Sequence, residues 1–327
     1  MAEMRYADIA GVDKRVSRIF YGTASKEMSM GKNVNDLLDS VFEMGINAFD
    51  TARGYGMAEK SLGRWLKDSG KREQCVVLTK GCNVDLFGKN HVNRKVIVSE
   101  LEKSLKMLGV DYVDIYLLHR DDPAVPAGEL VEILNELQKE GKFKCFGVSN
   151  WTRERIAEAN DYAARKGLNP IRVSSPNFGL AEQICDPWGG GCVTISGPEN
   201  EGVRQWYADN QMPVLAYSSL GRGFFSGRFK SNDRKEAKKI LDANAQKGYL
   251  CEANMERLRR AEILAEEKGV TVSQIAMAYI FNQKLNTFAI VSTSNASRME
   301  KNVEALSLEL TEPECAWLDL RGNAAGK

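Results

Sequence analysis

Four residues with side chains suited to acid–base chemistry stand where apolar stretches of the sequence end. Asp50 lies near the end of INAFDT, Lys80 ends VVLTK, His119 ends DYVDIYLLH, and Tyr55 follows in FDTARGYG. A tyrosine hydroxyl has a pKa of about 10, and a nearby ammonium lowers that pKa by favouring the phenolate. Lys80 can supply the ammonium, and Asp50 can keep Lys80 protonated and oriented. The residues therefore suggest a relay from Asp50 through Lys80 to Tyr55.

A neutral His119 adds a second group that could act on a substrate oxygen. It could donate a hydrogen bond to a carbonyl oxygen and hold it against Tyr55, so that developing negative charge meets two donors. This chemistry suits carbonyl reduction. Each residue alone also has a simpler explanation, because a lysine after a buried strand often marks where the chain meets solvent. The set is informative only if a fold brings these positions together.

The elements that must position these residues alternate between helix and strand. An apolar stripe over residues 33–44 predicts a helix with Asn33 as its N-cap and Gly45 as its stop, and similar stripes end at Gly109 and Gly141. An apolar run follows each glycine. The runs predicted as strands are 19–22, 46–51, 75–80, 112–119, 143–149, 171–175, 214–218 and 288–292. Near-continuous apolar runs indicate parallel strands that are covered on both faces.

Eight strand–helix units are the number that closes a (β/α)8 barrel of the TIM type. We therefore predict an α/β fold with one barrel domain, comprising an N-terminal β-hairpin at 4–18 around Gly11, the barrel at about 19–305, and a C-terminal segment at 306–327. Two extended rim loops are expected, a mobile one at 179–198 and an insertion at 221–250 that can lie over a ligand. In such a barrel the C-terminal ends of all strands meet at one rim.

Composition excludes several classes of function. The chain has 45 Lys and Arg against 44 Asp and Glu, so no net field exists to attract nucleic acid. Seven cysteines without a C-x-x-C pair and two histidines disfavour disulfides and a metal site. An apolar run of about 18 residues and a signal peptide are both missing, so we expect a cytoplasmic protein without membrane partners.

The electrons for a reduction must come from a separately bound hydride donor, because the sequence offers no metal cluster or redox cysteine pair. The nearest approach to a glycine-rich dinucleotide fingerprint is Gly221, Gly223 and Gly227, which have the wrong spacing and follow a late strand. A Rossmann domain is therefore not indicated.

Ordered segments over about residues 15–305 resemble the aldo-keto reductases. These segments are FDTARGYG-x-x-E, VLTK, YLLHRDDP, KCFGVSN, VLAYSSLG and SRMEKN. The resemblance implies a (β/α)8 barrel that binds NADP(H) at its rim and an oxidoreductase that transfers hydride between NADP(H) and a carbonyl or alcohol. It implies that Tyr55 is the general acid and that Asp50, Lys80 and His119 complete the catalytic set. NADP(H) is favoured, and NAD(H) remains possible.

The same resemblance implies a set of cofactor-binding residues. From the nicotinamide end towards the adenosine phosphate, these are Gly22, Thr23, Asp50, Ser149, Asn150, Ser175, Tyr217, Ser218, Ser219, Leu220, Gly221, Arg222, Gly223, Ser292, Thr293, Ser294, Arg298 and Asn302. Asn150 would hold the carboxamide, Tyr217 would stack on the ring, and Arg298 would pair with a 2′-phosphate. Ser175 stands where many members have a longer glutamine. Lys301 could attract phosphate or simply face solvent.

The candidate substrate-binding residues are Tyr55, His119, Phe87, Arg120, Trp151, Phe178 and Trp188. Arg120 favours polar or anionic substrates, unless it forms a salt bridge with Asp121 or Asp122. Two other functions stay open: a cofactor-sensing regulatory subunit, as in channel-associated relatives, and a Schiff-base enzyme with an unprotonated Lys80 as nucleophile. The sequence leaves open which carbonyl or alcohol reacts, in which direction, and whether the protein is a monomer or a small homo-oligomer.

Overall fold

The structure is a computed structural model that describes residues 3–84 and 91–322. Within these ranges the strands are β1 (Tyr6–Ala7), β2 (Val16–Ser17), β3 (Ile19–Gly22), β4 (Ala48–Asp50), β5 (Val76–Gly81), β6 (Val113–Leu118), β7 (Phe143–Ser149), β8 (Val173–Ser175), β9 (Val214–Ala216) and β10 (Thr287–Val291). The helices are α1 (Lys26–Ser29), α2 (Asn35–Glu43), α3 (Ala58–Ser69), α4 (Arg94–Leu108), α5 (Ala127–Lys139), α6 (Arg153–Lys166), α7 (Glu201–Asn210), α8 (Arg234–Ile240), α9 (Ala243–Tyr249), α10 (Glu252–Lys268), α11 (Val272–Phe281), α12 (Ala296–Glu304) and α13 (Glu312–Leu318).

The larger sheet is a closed parallel barrel with the strand order β10-β3-β4-β5-β6-β7-β8-β9. The strands β1 and β2 pair antiparallel as the N-terminal hairpin. These observations confirm the predicted (β/α)8 barrel and hairpin. Several strands are shorter than predicted; β4, for example, was predicted at 46–51. An apolar run indicates which residues are buried, and buried residues can extend beyond the hydrogen-bonded strand. Ile46 is fully buried although it lies outside the hydrogen-bonded strand.

The chain divides into two compact units. The N-terminal unit contains the described parts of residues 5–175 together with Ser292–Ala296, and it carries β1 to β8 and α1 to α6. The C-terminal unit contains residues 3–4, 176–291 and 297–322, and it carries β9, β10 and the helices from α7 onwards. All four candidate catalytic residues belong to the N-terminal unit.

Besides Asp50 and Lys80, the strands of the N-terminal unit bury a further charged residue, Asp114. Asp114 is fully buried in β6, where it pairs with Lys14 at 2.5 Å and with Arg72 at 2.9 Å and accepts the Val77 N–H. A buried carboxylate is tolerated only when it is paired in this way. Lys14 belongs to the hairpin segment, so this contact holds the hairpin near the N-terminal end of β6. Asp50 and Lys80 lie at the other ends of their strands.

Helix ends follow the predicted punctuation, with one correction. In α4 the Asn93 side chain accepts the Val96 N–H at the start, and Gly109 in the left-handed conformation ends the helix. The prediction that Asn33 caps α2 is wrong. Its side chain accepts the N–H of Asn35, only two residues on, so the helix begins one residue later with Val34 as its N-cap.

The segment 221–250, predicted only as an insertion, contains two short helices. Asp233 caps α8 by accepting the Glu236 N–H, and Asp242 caps α9 by accepting the Ala245 N–H. Throughout the described ranges, each helix is too short or too polar to cross a membrane.

Candidate active site

Neighbouring strands of the N-terminal unit bring Asp50, Lys80 and His119 to one end of the sheet. Asp50 is the last residue of β4, Lys80 is the last but one of β5, and His119 directly follows β6. The Lys80 ammonium contacts the Asp50 carboxylate and donates a second hydrogen bond of 2.9 Å to the Thr51 carbonyl. Both side chains of this pair are 3% exposed, so the ion pair is shielded from water.

The loop between β4 and α3 returns Tyr55 to the same place. The Tyr55 hydroxyl lies 3.4 Å from Lys80 Nζ, and its ring meets the His119 ring edge-on with a centroid separation of 5.7 Å. The Arg53 N–H donates to the Lys80 carbonyl at 2.8 Å, which ties the loop to β5. Gly56 turns the loop with a φ of 62°, and a Cβ at this position would lie 2.7 Å from the Ser29 carbonyl oxygen. Only glycine fits there.

Glu59 is a further residue of this loop network to which the sequence assigned no role. It is fully buried in the first turn of α3, pairs with Arg53 at 3.0 Å, and accepts the Thr79 hydroxyl at 2.7 Å. Glu59 thereby links the Tyr55 loop to the residue before Lys80. An acidic residue in a first helical turn normally faces solvent, so the residue type gave no sign of burial. The available signal was its place as the final residue of the segment FDTARGYG-x-x-E.

Burial and charge together set the protonation states of Lys80 and Tyr55. Burial lowers the pKa of Lys80, but the Asp50 carboxylate and Tyr55 together raise it by more than burial lowers it. The pKa of Lys80 therefore lies above its usual value. Burial also raises the pKa of Tyr55, and the Lys80 ammonium opposes this only in part. The expected lowering of the Tyr55 pKa is therefore wrong in its net direction, because desolvation outweighs the ammonium. Both groups hold their protons at neutral pH.

His119 is neutral in the same site. It is 8% exposed, and burial, followed by the charges of Lys80 and Arg120, holds its pKa well below the usual value. Its backbone N–H donates to the Gly81 carbonyl at 2.7 Å. Its ring atom Nδ1 is buried and makes no hydrogen bond to any described residue. A neutral imidazole can offer one N–H donor and one acceptor to a ligand.

The next two strand ends hold Asn150 in a fixed orientation. Its side-chain N–H groups donate to the His119 carbonyl at 3.2 Å and to the Ser149 hydroxyl at 3.1 Å. The Ser149 hydroxyl donates in turn to the Ser175 carbonyl at 2.8 Å. Asn150 has a φ of 61°, a conformation that asparagine tolerates better than most residues. Ser175 thus contributes through its backbone to the placement of Ser149.

Several buried polar atoms at these strand ends fit a polar ligand such as a cofactor. Gly22 pairs with Asp50 across β3 and β4, and the Thr23 N–H donates to the Asp50 carbonyl at 2.9 Å. The hydroxyls of Thr23 and Thr51, like His119 Nδ1, are buried and have no hydrogen-bond partner in the part of the chain that is described. Since buried polar groups normally have partners, these atoms are suited to contact a ligand.

The predicted residues after β10 lie partly in the N-terminal unit. The Thr293 carbonyl accepts a hydrogen bond of 2.9 Å from the Tyr21 hydroxyl, whereas Ser292 and Ser294 are exposed. Ser294 lines a cavity of about 340 Å³ together with the carboxylate residues Glu27 and Asp36. This cavity lies next to the serines predicted to meet the adenosine phosphate.

In the C-terminal unit, the predicted segment after β9 has an unusual backbone. Positive φ angles occur at Ser218, Gly221, Arg222 and Gly223. The Ser219 hydroxyl is buried and donates to the Ala216 carbonyl at 2.9 Å, and Leu220 follows it in the same turn. The ring of Tyr217 meets that of Trp188 edge-on at 5.9 Å.

Helix α12 carries the remaining predicted cofactor residues. Arg298 is exposed, whereas Asn302 is buried with its amide 3.9 Å from the Met299 sulfur. Lys301 donates to both carboxylate oxygens of Glu304, at 2.8 and 2.9 Å. The positive charge of Lys301 is therefore already matched within its own helix.

The predicted substrate residues fall into different environments. Phe178 and Trp151 are 0% and 1% exposed and pack against their neighbours, and their contact with a substrate stays a prediction. Trp188 is half-buried under the Arg222 guanidinium. Arg120 is 5% exposed, and the neighbouring Asp121 pairs with Arg155 at 3.3 Å. Phe87 lies outside the described residues.

Comparison with known proteins identifies the family. The model of the aldo/keto reductase family matches residues 18–320. The chain belongs to the aldo/keto reductase family. It is 29% identical over 315 residues to the aldo-keto reductase YhdN of Bacillus subtilis, covering 91% of this chain and 87% of that protein. It is 26% identical over 297 residues to the L-glyceraldehyde 3-phosphate reductase of Escherichia coli K12, covering 86% and 82%.

A solved structure shares the fold. The thermostable aldo-keto reductase Tm1743, crystallised with the inhibitor epalrestat, superimposes with a TM-score of 0.72 at 23% identity, covering 98% of this chain and 100% of that chain. Family and fold support an oxidoreductase that uses a nicotinamide cofactor and acts on small-molecule carbonyl compounds. The alternatives of a regulatory subunit and a Schiff-base enzyme are not favoured. A protonated Lys80 is also a poor nucleophile.

Proposed function

We propose that this aldo/keto reductase interconverts a carbonyl group and an alcohol with NADP(H), and that Tyr55 is its proton donor. One observation carries the proposal: the Tyr55 hydroxyl lies 3.4 Å from the ammonium of Lys80, which is itself held by Asp50. The edge-on contact with His119 adds a second possible donor beside the same hydroxyl. A proton donor and a second hydrogen-bond donor are what a developing alkoxide requires.

In the proposed reduction, the proton of the Tyr55 hydroxyl moves to the substrate oxygen, and Tyr55 becomes a phenolate. The Lys80 ammonium stabilises that phenolate, since the attraction between opposite charges is strong in a buried site. Asp50 keeps Lys80 protonated and aimed at Tyr55 throughout. The neutral His119 donates a hydrogen bond to the same substrate oxygen and orients it.

A bound nicotinamide cofactor would supply a hydride to the carbonyl carbon. Asn150 is suited to bind the carboxamide, because contacts with His119 and Ser149 already fix its side-chain amide. The buried hydroxyl of Thr23 can add a polar contact. Our preference for NADP(H) over NAD(H) rests on Arg298, whose exposed guanidinium can pair with a 2′-phosphate. The contacts assigned to residues 217–223 and to Asn302 remain predictions.

Arg120 supports a substrate that carries a negative charge. It directly follows His119, is almost fully buried, and its charge lowers the pKa of both His119 and Tyr55. A cation so close to the proposed proton donor favours an anionic carbonyl compound over a neutral one. We therefore propose aldehydes or ketones with a carboxylate or phosphate group as the preferred substrates.

The function is tested with purified protein and a panel of matched aldehydes, with and without a carboxylate. We expect loss of NADPH absorbance that depends on the aldehyde, with a slower rate for NADH. Absence of turnover with every carbonyl compound and both cofactors would count against the proposal. Covalent trapping of an aldehyde on Lys80 by borohydride would instead support the Schiff-base alternative.

A further inference from the structure

Two non-glycine residues of the segment that follows β9 adopt a backbone conformation that is costly for them. Ser218 has a φ of 54° and Arg222 has a φ of 52°, and both lie in the segment Ser218–Gly223 after β9. Side chains other than glycine rarely enter this left-handed region, and they stay there only when surrounding structure holds them. The contacts of these two residues therefore show what keeps the segment in shape.

Both residues are held by the short helix α9, one at each end of it. At the C-terminal end, the buried hydroxyl of Tyr249 interacts with the Ser218 side chain. At the N-terminal end, the Asp242 carboxylate pairs with the Arg222 guanidinium at 2.8 Å. Asp242 also caps the helix, with its other carboxylate oxygen accepting the Ala245 N–H at 2.7 Å. The helix thus braces the segment at both strained positions.

A buried polar network fixes the Tyr249 hydroxyl in turn. It accepts a hydrogen bond of 2.9 Å from the Asn177 amide and lies 3.3 Å from the Gln183 side-chain oxygen. The same Asn177 amide donates to the Tyr217 carbonyl at 3.3 Å, just before Ser218. Because Asn177 contacts both the Tyr249 hydroxyl and the Tyr217 carbonyl, loss of the Tyr249 hydroxyl should also weaken the contact with the backbone just before Ser218.

We infer that Tyr249 and Asp242 are positioning residues, which hold Ser218–Gly223 in its binding conformation before any ligand arrives. The inference rests on the proposed function, because that proposal gives the segment its role in contacting the cofactor phosphates. Preorganisation raises affinity, since the cost of ordering the segment is met during folding. Loss of either contact then lets Ser218 or Arg222 relax towards ordinary backbone angles and weakens cofactor binding.

The test compares two variants with two matched controls. Tyr249→Phe removes only the hydroxyl, and Asp242→Asn removes the charge that holds Arg222 while leaving a residue that can cap α9. Tyr279→Phe removes another buried tyrosine hydroxyl of the same unit, and Asp233→Asn changes the corresponding cap of α8. Hydrogen exchange of the amides of 218–223 is measured without cofactor. NADPH affinity is then measured by fluorescence, and KM for an aldehyde is measured separately.

We expect both test variants to exchange the amides of 218–223 faster and to bind NADPH about threefold to tenfold more weakly, the effect of one lost hydrogen bond. KM for the aldehyde and the properties of both controls should stay close to wild type. Faster exchange with unchanged NADPH affinity, or an equal loss in the controls, would overturn the positioning role. Failure of the wild-type protein to bind NADPH would instead overturn the proposed function, and the exchange data would still report on the brace.

Discussion

The hydroxyl oxygen of Tyr55 lies 3.4 Å from the ammonium nitrogen of Lys80. Burial and the Lys80 ammonium have opposite effects on the proton of Tyr55. Burial keeps the proton on the phenol, whereas the ammonium stabilises the phenolate that remains after the proton has left. Tyr55 therefore keeps its proton at neutral pH and can still give that proton to an oxygen that gains negative charge. All groups involved belong to the N-terminal unit.

The ion pair of Lys80 and Asp50 predicts a clear pattern of stability. Lys80→Met leaves a buried carboxylate without its cation, and such a loss typically costs about 3–5 kcal/mol of unfolding free energy. The double variant Lys80→Met with Asp50→Asn removes both charges and should recover much of that loss. Urea-induced unfolding measures the effect. Equal stability of the single and double variants would show that the pair is not coupled.

His119 predicts a dependence of stability on pH. Its pKa in the folded protein is well below the usual value of about 6.5, so the unfolded chain binds more protons between these two values. Stability from this residue is therefore fully present above pH 6.5 or so and decreases as the pH falls, by at most about 1.4 kcal/mol per pH unit.

The variant His119→Gln should remove this part of the pH dependence, as measured by urea-induced unfolding between about pH 5 and pH 7. The matched control is His91→Gln, which changes an exposed histidine and leaves His119 in place, so the part of the slope that comes from His119 should remain. A His119→Gln protein that loses stability on acidification as steeply as wild type would contradict the buried, neutral histidine.

The sequence predicted the barrel well because parallel strands covered on both faces must be apolar throughout, and all eight appear as such runs. It also placed Asp50, Lys80 and His119 together, since strand ends meet at one rim. The sequence could not predict how deeply each side chain is buried, because burial depends on packing between distant segments. For that reason the predicted net direction of the Tyr55 pKa shift was wrong.

Residues that act through long-range contacts were missed for the same reason. Glu59 joins Arg53 to Thr79, and Tyr249 joins Ser218 to Asn177. Glu59 ends the segment FDTARGYG-x-x-E, but the residue type gave no role for it, and Tyr249 belongs to no pattern that would set it apart. The helices α8 and α9 were also missed, although Asp233 followed by Glu236 is a recognisable start signal.

Arg120 predicts a preference among substrates of equal size. Arg120→Gln should lower kcat/KM for 4-carboxybenzaldehyde by about tenfold or more, because a charge-assisted contact is lost, and should change the value for benzaldehyde much less. Arg153→Gln alters an exposed arginine at the start of α6 and should leave the ratio of the two values unchanged. An equal loss for both aldehydes in the Arg120 variant would refute charge recognition.

Arg298 predicts the choice between the two cofactors. Arg298→Ala should raise KM for NADPH by about tenfold and leave KM for NADH almost unchanged, because only NADPH carries the 2′-phosphate. Lys301→Gln is the matched control, since the charge of Lys301 is already paired with Glu304. Steady-state kinetics with both cofactors decide the matter, and a larger effect in the Lys301 variant would reverse the assignment.

The central claim is that the Tyr55 hydroxyl gives the proton, and Tyr55→Phe tests it most directly because the ring is kept and only the donor is removed. Cofactor binding is followed by quenching of intrinsic fluorescence, and turnover is followed by NADPH consumption on the same sample. We predict NADPH affinity close to wild type with kcat reduced at least about a hundredfold, the typical contribution of a general acid. A variant that binds NADPH and turns over at the wild-type rate would contradict the account.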